Sequence, residues 1–251
     1  MATPRNNAYA VASGGGVFAG RPGLTPMSWA AGQAAVCCLG NSLMAGVGGT
    51  PPSVYLPGQS PVSIGPSPVA NVSVSSATAA DLLGSVSAVT AAYVAGRTNV
   101  LIVWEITNSV QTGRTAQQAV DDLFALAAAC KAQRPWKVAV ATAIPRYQWL
   151  DAVGGPVSDA KSAALNAVLD SANSLLRAQF RANGCDLLLE MRRAGSPFAL
   201  AAYNSANFAA VQDASGNFLY LNESGSYVHL INFGYLEVAK VMAPQLAAMP
   251  A

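Results

Sequence analysis

The sequence predicts one three-layer α/β/α domain, in which a central parallel sheet is covered by helices on both faces. Short apolar runs typical of buried strands alternate along the chain with longer segments of helical period. Connections between parallel strands are right-handed crossovers, so this alternation indicates helices on both faces of the sheet. The chain has 251 residues, enough for one substantial core, and no internal repeat marks a second domain.

Five segments have the composition of strands in such a sheet. The first is AVCCL at 35–39, which is apolar throughout, as is typical of a strand buried on both faces. Successive strand residues point to opposite faces, so Cys37 and Cys38 are expected to be separate buried thiols. The other predicted strands are VANVSV at 69–74, NVLIVW at 99–104, KVAVATA at 137–143 and CDLLLE at 185–190.

Helices are expected between and after these strands. Their predicted ranges are 78–96 with a stop at Gly96, 115–134, 159–182, and 234–249 with a bend at Pro244. Residues 1–30 are rich in Gly and Pro and are predicted to be an extension, which leaves 31–251 as the domain. The segment 47–68 contains six prolines and is predicted to be a long ordered loop without helix.

Composition narrows the range of functions. The chain has 14 basic and 12 acidic residues, and this formal charge of +2 does not favour nucleic acid or an anionic membrane as a partner. No apolar run is long enough to span a membrane, and the first residues do not resemble a secretory signal peptide, so the compartment stays undecided. The four cysteines lack metal-ligand spacing, so neither a metal nor another cofactor is expected.

Four polar residues follow the predicted strands or precede the last helix. Ser42 follows the first strand, Ser76 the second and Asn108 the third, and His229, the only histidine, precedes the last helix. In parallel sheets the functional side chains lie in the loops after the carboxyl ends of the strands. We therefore expect these groups to converge at one edge of the sheet.

The segments around these residues resemble, in order, the blocks of the SGNH (GDSL-type) hydrolases, a family of serine esterases, lipases and carbohydrate acetylesterases. CLGNSLMAG is similar to the first block and aligns Ser42 with the nucleophile. NVSVSSATAADLL is similar to the second block, with Ser76 at a position that is usually Gly. LIVWEITNSV aligns Asn108 with the Asn of the third block, and YVHLINFGYLEVAKVM aligns His229 with the catalytic base.

The resemblance implies a flavodoxin-like arrangement of five parallel strands and a serine esterase mechanism. His229 would accept the proton of Ser42 during attack on an ester carbonyl. The backbone N–H groups of Ser42 and Ser76 and the side-chain amide of Asn108 would form the oxyanion hole. The expected substrate is a small-molecule or glycan ester with a short acyl group, for example an acetylated carbohydrate.

The sequence departs from the usual blocks at three places. Asn41 stands where the first block usually has Asp, and Ile106 and Ser109 flank Asn108 in place of the usual Gly and Asp. Ser226 stands three residues before His229, where the family has the Asp of its triad.

The third departure leaves two questions open. His229 could be oriented by Glu223, by Ser226 or by a backbone carbonyl, because in such a triad the acid orients the base without taking a proton. Alternatively, the chain could be a catalytically weak or inactive module of this fold that binds a glycan or serves as a structural part, for instance of a bacteriophage particle.

Overall fold

The computed structural model describes residues 29, 33–59, 69–146, 149, 158–199 and 229–250, and in them a parallel sheet forms the centre of the fold. Its strands pair in the order β2-β1-β3-β4-β5. This is the flavodoxin-like order, in which the switch point lies between β1 and β3. The five strands are β1 (Ala34–Gly40), β2 (Val69–Asn71), β3 (Thr98–Trp104), β4 (Lys137–Ala141) and β5 (Leu187–Leu189).

Helices follow the strands in the predicted sequence. They are α1 (Ser42–Ala45), α2 (Pro52–Tyr55), α3 (Val86–Ala91), α4 (Thr107–Gln111), α5 (Ala116–Gln133), α6 (Asp159–Gln179) and α7 (Asn232–Leu246), with short 3-10 turns at Leu56–Gly58 and Asp81–Ser85. Within α7, Pro244 lies in the last turn. The strands β2 and β5 are shorter than the sequence predicts.

The helix predicted at 78–96 is wrong in extent. The structure has a 3-10 turn at Asp81–Ser85 and then only six residues of α-helix, Val86–Ala91. Gly84 lies inside the 3-10 turn, and β-branched residues follow it in α3. Glycine and β-branched residues both lower helix propensity, so the apolar spacing overestimates the length of this helix.

The absence of helix predicted for the proline-rich loop at 47–68 is also wrong. Helix α2 begins directly at its two adjacent prolines, with Pro51 as N-cap and Pro52 as the first helical residue. A proline at these positions costs no helical hydrogen bond, because the first N–H groups of a helix have no partner within it. Residues 60–68 of the predicted loop lie outside the described residues.

Two apolar layers enclose the sheet. Cys37 of β1 packs in the layer with α5 and α6, and Cys38 packs in the opposite layer with α7. All four cysteines are free and buried, which confirms the prediction for Cys37 and Cys38. Burial raises the pKa of the Cys37 thiol to about 12 and that of Cys130 to about 11. The thiols are therefore inert apolar groups of the core.

The loop after β4 is fastened to α6 by two buried asparagines. The side chain of Asn173 accepts from the N–H of Ala143 at 2.7 Å and donates to its carbonyl at 3.0 Å. Asn166 makes the same pair of bonds with Arg146, at 3.1 and 2.6 Å. Since the two asparagines are two helical turns apart, one face of α6 holds Ala143 and Arg146, at the start of this loop, at the carboxyl edge of the sheet.

The last helix also receives a contact from the N-terminal region. Trp29 is buried, and its indole N–H donates to the carbonyl of Leu246 at 3.1 Å. The other residues of the predicted extension, 1–28 and 30, lie outside the described residues. None of the helices in the described ranges has the length and apolarity that crossing a membrane requires.

Candidate active site

Ser42 is the first residue of α1, immediately beyond the carboxyl end of β1. The side chain of Asn41 caps this helix by accepting from the N–H of Leu43 at 3.0 Å. A Cβ at Gly40 would lie 2.4 Å from the carbonyl oxygen of Trp104, so only glycine allows β1 to end this close to β3. Ser42 is 6% exposed. The sequence GNS thus produces a tight strand-to-helix turn with the serine at its tip.

Asn108 lies at the same edge of the sheet, in α4 after β3. Gly40 pairs with Trp104 in the sheet register, so the segments carrying Ser42 and Asn108 leave neighbouring strand ends at the topological switch point. The side-chain amide of Asn108 donates to the carbonyl of Ala77 at 3.1 Å. This bond connects α4 to the loop after β2.

Ser76 lies in that loop and has a left-handed backbone conformation. Its φ is +64°, the only positive φ of a residue other than glycine in the described ranges. The N–H of Val74 donates to the carbonyl of Gly40 at 2.9 Å, which holds the start of the loop against the end of β1. A Cβ is strained in this region of φ, and this explains why the second block usually has Gly here.

His229 is half-buried and lies three residues before α7. The start of α7 is tied to the chain that follows α1. The side-chain oxygen of Asn232 accepts from the N–H of Thr50 at 2.7 Å, and the hydroxyl of Tyr235 donates to the carbonyl of Val47 at 2.6 Å. The N–H of Val47 in turn donates to the carbonyl of Ser42 at 3.0 Å. These contacts attach the helix after His229 to the segment that carries Ser42.

The candidate triad is described only in part. Ser226 and Glu223, the two side chains considered as partners of His229, lie outside the described residues. Ser42, Ser76 and Asn108 are brought to the carboxyl ends of β1, β2 and β3, as expected from the order of the blocks.

Glu105 is a residue of this edge that sequence reasoning missed. It follows β3 directly and is 1% exposed. One carboxylate oxygen accepts from the N–H groups of Asn108 at 2.7 Å and Ser109 at 3.2 Å. The signal was present in the sequence, because LIVWE ends an apolar strand on a single acidic residue.

The contacts of Glu105 extend to the other two loops. The oxygen that binds the Asn108 N–H also receives the side-chain amide of Asn41 at 3.4 Å. The second oxygen accepts from the N–H of Ala79 at 2.8 Å and from the hydroxyl of Ser109 at 2.7 Å. Burial raises the pKa of the Glu105 carboxyl, and the hydrogen bonds from Ser109, Asn108 and Ala79 oppose that rise.

The reactive and polar groups at this edge of the sheet are the hydroxyl of Ser42, the side-chain amide of Asn108 and backbone N–H groups. A serine at a helix start, an asparagine amide and backbone N–H groups are suited to acyl transfer, in which negative charge develops on a carbonyl oxygen. In the described part of the chain, no three His, Cys, Asp or Glu side chains lie close enough to hold a metal ion.

Comparison with known proteins gives a structural match only. No protein-family model and no curated protein matches the sequence. Among solved structures, a member of the lipolytic protein G-D-S-L family from Veillonella parvula is 14% identical with a TM-score of 0.57, and the match covers 83% of this chain and 95% of that one.

Two further structures match at similar coverage. TesA is 16% identical with a TM-score of 0.56, over 85% of this chain and 98% of that one. The psychrotrophic esterase EstA from Pseudoalteromonas, in a structure inhibited by monoethylphosphonate, is 14% identical with a TM-score of 0.51, over 85% and 96%. The chain therefore has the fold of the lipolytic G-D-S-L structures, and the single α/β/α architecture implied by the sequence resemblance is confirmed.

Proposed function

We propose that this chain is a serine hydrolase of carboxylic esters, with Ser42 as nucleophile and His229 as base. The Ser42 oxygen attacks the ester carbonyl carbon while His229 takes the hydroxyl proton. His229 then protonates the departing alcohol, which leaves an acyl group on Ser42. Water, deprotonated by His229, attacks this acyl-enzyme, releases the carboxylic acid and restores the serine.

The negative charge of each tetrahedral intermediate needs donors that are already in position. The proposal assigns this role to the backbone N–H groups of Ser42 and Ser76 and to the side-chain amide of Asn108. The Asn108 amide has two hydrogens, and the carbonyl of Ala77 accepts one of them. The other hydrogen is the one we assign to the oxyanion.

One observation carries the proposal. Ser42 and Asn108 are buried polar residues that leave adjacent ends of β1 and β3, at the switch point of a flavodoxin-like sheet. Ligands of open parallel sheets bind at this point. The fold shared with the lipolytic G-D-S-L structures supports the same reaction class by analogy.

Hydrolysis of a short-chain nitrophenyl ester by three variants tests the reaction class. We expect Ser42→Ala and His229→Ala to lower kcat by about 10³-fold or more, since each removes a member of the reacting pair. Ser171→Ala is the matched control, because Ser171 is an exposed serine on α6 whose hydroxyl donates to the carbonyl of Ala167 in its own helix. Equal rates in the parent and Ser42→Ala would refute the esterase proposal.

The group that orients His229 is tested by a second pair of variants. If Ser226 stands in place of the triad acid, Ser226→Asp should raise kcat by supplying the charge that stabilises the imidazolium. If Glu223 provides this charge instead, Glu223→Gln should lower kcat and Ser226→Asp should have little effect. An unchanged rate in Glu223→Gln removes that residue from the mechanism.

We further propose an uncharged substrate with a short acyl group, such as an acetylated carbohydrate. No Asp, Glu, Lys or Arg occurs between Arg21 and Asp81, so the loops after β1 and β2 carry no charge. Rates for acetyl, butyryl and octanoyl nitrophenyl esters and for acetylated xylan test this proposal. A preference for the octanoyl ester, or no release of acetate from xylan, would contradict the corresponding part of it.

The alternative function is a module of this fold that binds a glycan, or has a structural role, without turnover. It is motivated by Ser226 in place of the triad acid. Glycan binding that persists in His229→Ala, together with a parent that does not hydrolyse esters, would favour this alternative over the esterase.

A further inference from the structure

The carboxylate of Glu105 is a buried charged group for which the proposed mechanism has no use. It lies under the site and does not face the substrate, since it is 1% exposed and both of its oxygens are occupied by donors of the chain. A buried carboxylate is costly unless several hydrogen bonds compensate it. The presence of a buried carboxylate at position 105 therefore needs a physical explanation.

The donors of Glu105 come from all three loops that carry the proposed site. The donor from the loop after β1 is Asn41, which precedes Ser42. The donor from the loop after β2 is Ala79, three residues after Ser76. The donors from the turn after β3 are Asn108 and Ser109. One side chain thus fixes the relative positions of the segments that contribute the nucleophile and each proposed oxyanion donor.

Only a carboxylate can bind this set of groups. In each of these contacts Glu105 is the acceptor, from three backbone N–H groups, one hydroxyl and one amide. An ionised carboxylate has acceptor sites on both oxygens, whereas a glutamine has one oxygen and an NH₂ group. In either orientation the NH₂ of a glutamine would face at least one backbone N–H, so one of the loops would have to move.

The same carboxylate explains two departures from the usual blocks. Asn41 and Ser109 stand at positions where the first and third blocks usually have Asp, and both donate a hydrogen bond to Glu105. An aspartate at either position would face a carboxylate oxygen with another negative charge. Asparagine and serine at these positions are what a buried glutamate at 105 requires.

We propose that Glu105 is a positioning residue of the esterase site, which holds Asn108 and the loops of Ser42 and Ser76 in the geometry that stabilises the oxyanion. This inference rests on the proposed function. Glu105 acts through the residues it binds and does not touch the substrate. Its removal should therefore weaken binding of the transition state and leave binding of the ground-state ester nearly unchanged.

The test is Glu105→Gln in the full chain, with Glu190→Gln as the matched control. Glu190 is also a hydrogen-bonded glutamate at a strand end, but it follows β5 and binds Arg177 and Thr142. Kinetics with a short-chain nitrophenyl ester are expressed per reactive serine, counted by exhaustive titration with a nitrophenyl phosphonate. This normalisation separates a lower fraction of folded protein from a slower site.

We expect Glu105→Gln to lower kcat about 100-fold, with KM within about threefold of the parent, because misplaced oxyanion donors cost about this much. The inhibition constant of an alkylboronic acid, which mimics the tetrahedral intermediate, should rise by the same factor. Glu190→Gln should leave kcat, KM and this inhibition constant unchanged. A purely structural role for Glu105 would reduce the number of titrated serines without changing kcat per serine.

The results that would overturn the inference are distinguishable from one another. Parent-like hydrolysis by Ser42→Ala would refute the esterase proposal and this inference with it. Loss of activity in Ser42→Ala, combined with a parent-like kcat in Glu105→Gln, would refute the role of Glu105 alone. If Glu105→Gln does not fold, Ser109→Ala carries the test, because it removes one donor at 2.7 Å and should lower kcat about fivefold. An unchanged kcat in Ser109→Ala would then refute the inference.

Discussion

Two halves of the same sheet edge are fixed by different chemistry. The loops after β1, β2 and β3 share the charged side chain of Glu105. The loop after β4 is held by Asn166 and Asn173, neutral side chains that each bind the N–H and the carbonyl of one residue. All three side chains are about equally buried. The difference between the halves is therefore one of charge and not of depth.

We infer from this difference that the two asparagines contribute to stability, whereas Glu105 sets the geometry of the site. The side chain of an asparagine can bind the N–H and the carbonyl of one residue, so it can hold one loop segment against a helix without burying a charge. It cannot gather N–H groups from several loops. A carboxylate can accept hydrogen bonds from several loops, but its burial has a desolvation cost. In this chain the buried carboxylate lies in the half of the sheet edge that contains Ser42 and Asn108.

The largest effect on stability is expected for Asn41→Asp, which introduces the residue that the first block usually has. Asp is an equally good helix cap, but its carboxylate would lie close to that of Glu105, whose oxygen is 3.4 Å from the Asn41 amide. We expect the free energy of unfolding to fall by about 3 kcal/mol and kcat/KM to fall about tenfold or more. Urea unfolding and ester hydrolysis measure the two effects.

The pH dependence of this variant identifies the cause. Two carboxylates that share a buried site have a raised pKa, so the folded state retains a proton that the unfolded chain has lost. The loss of stability in Asn41→Asp should then grow as pH rises from about 5 to about 8. Asn41→Ser is the control, since it keeps a capping oxygen without charge. A loss in Asn41→Asp that does not depend on pH would contradict the interaction with Glu105.

The second prediction concerns the neutral half. Asn173→Ala leaves the buried N–H and carbonyl of Ala143 without partners, so it should lower the free energy of unfolding by about 2 kcal/mol and Tm by about 6 °C. Its kcat should stay within about twofold of the parent, unlike that of Glu105→Gln. The exposed Asn183, whose amide donates to the carbonyl of Gln179, provides the matched control Asn183→Ala. A large fall in kcat for Asn173→Ala would remove the distinction between the halves.

The sequence predicted the neutral framework better than the charged centre. Strand runs, helical spacing and the order of the blocks were sufficient for the sheet and for the placement of Ser42 and Asn108, because apolar periodicity reports burial directly. Glu105 was missed because a single acidic residue carries no period, and its five donors come from residues up to 64 positions away. Contacts of this kind depend on tertiary structure and leave no local pattern.

The errors have similarly local causes. Counting prolines in the segment 47–68 excluded any helix, whereas their positions at the start of α2 are the ones a helix tolerates. The spacing of apolar residues in 78–96 predicted one helix, although glycine and β-branched residues shorten it. In both cases the outcome depends on where each residue lies relative to a helix end, which composition alone does not give.

The third prediction tests the strained position in the charged half. Ser76→Gly should raise the free energy of unfolding by about 0.5 kcal/mol, since relief of the left-handed strain exceeds the added entropy of the unfolded chain. Because the backbone N–H is retained, kcat should not change. Ser76→Val should have the opposite effect on stability, as a β-branched side chain is less compatible with a φ of +64°. A lower stability of Ser76→Gly than of the parent would contradict the assignment of strain.

The smallest effect separates two carboxylates that bind consecutive N–H groups of the loop after β2. Asp81 is exposed and accepts from the hydroxyl and the N–H of Thr78, and these hydrogen bonds lower the pKa of its carboxyl below 3.8. Glu105 accepts from the next N–H, that of Ala79, and burial raises the pKa of its carboxyl above 4.5. Asp81 therefore stabilises the fold above its unfolded pKa, and this contribution is lost as pH falls. The contribution of Glu105 has the opposite slope and decreases as pH rises from 4.5 through its raised pKa. We expect the Tm difference between the parent and Asp81→Asn to shrink as pH falls from about 7 to about 3. The Tm of the parent should fall relative to that of Glu105→Gln as pH rises above about 4.5. Slopes of the same sign in both variants would show that the two carboxylates do not differ in this way.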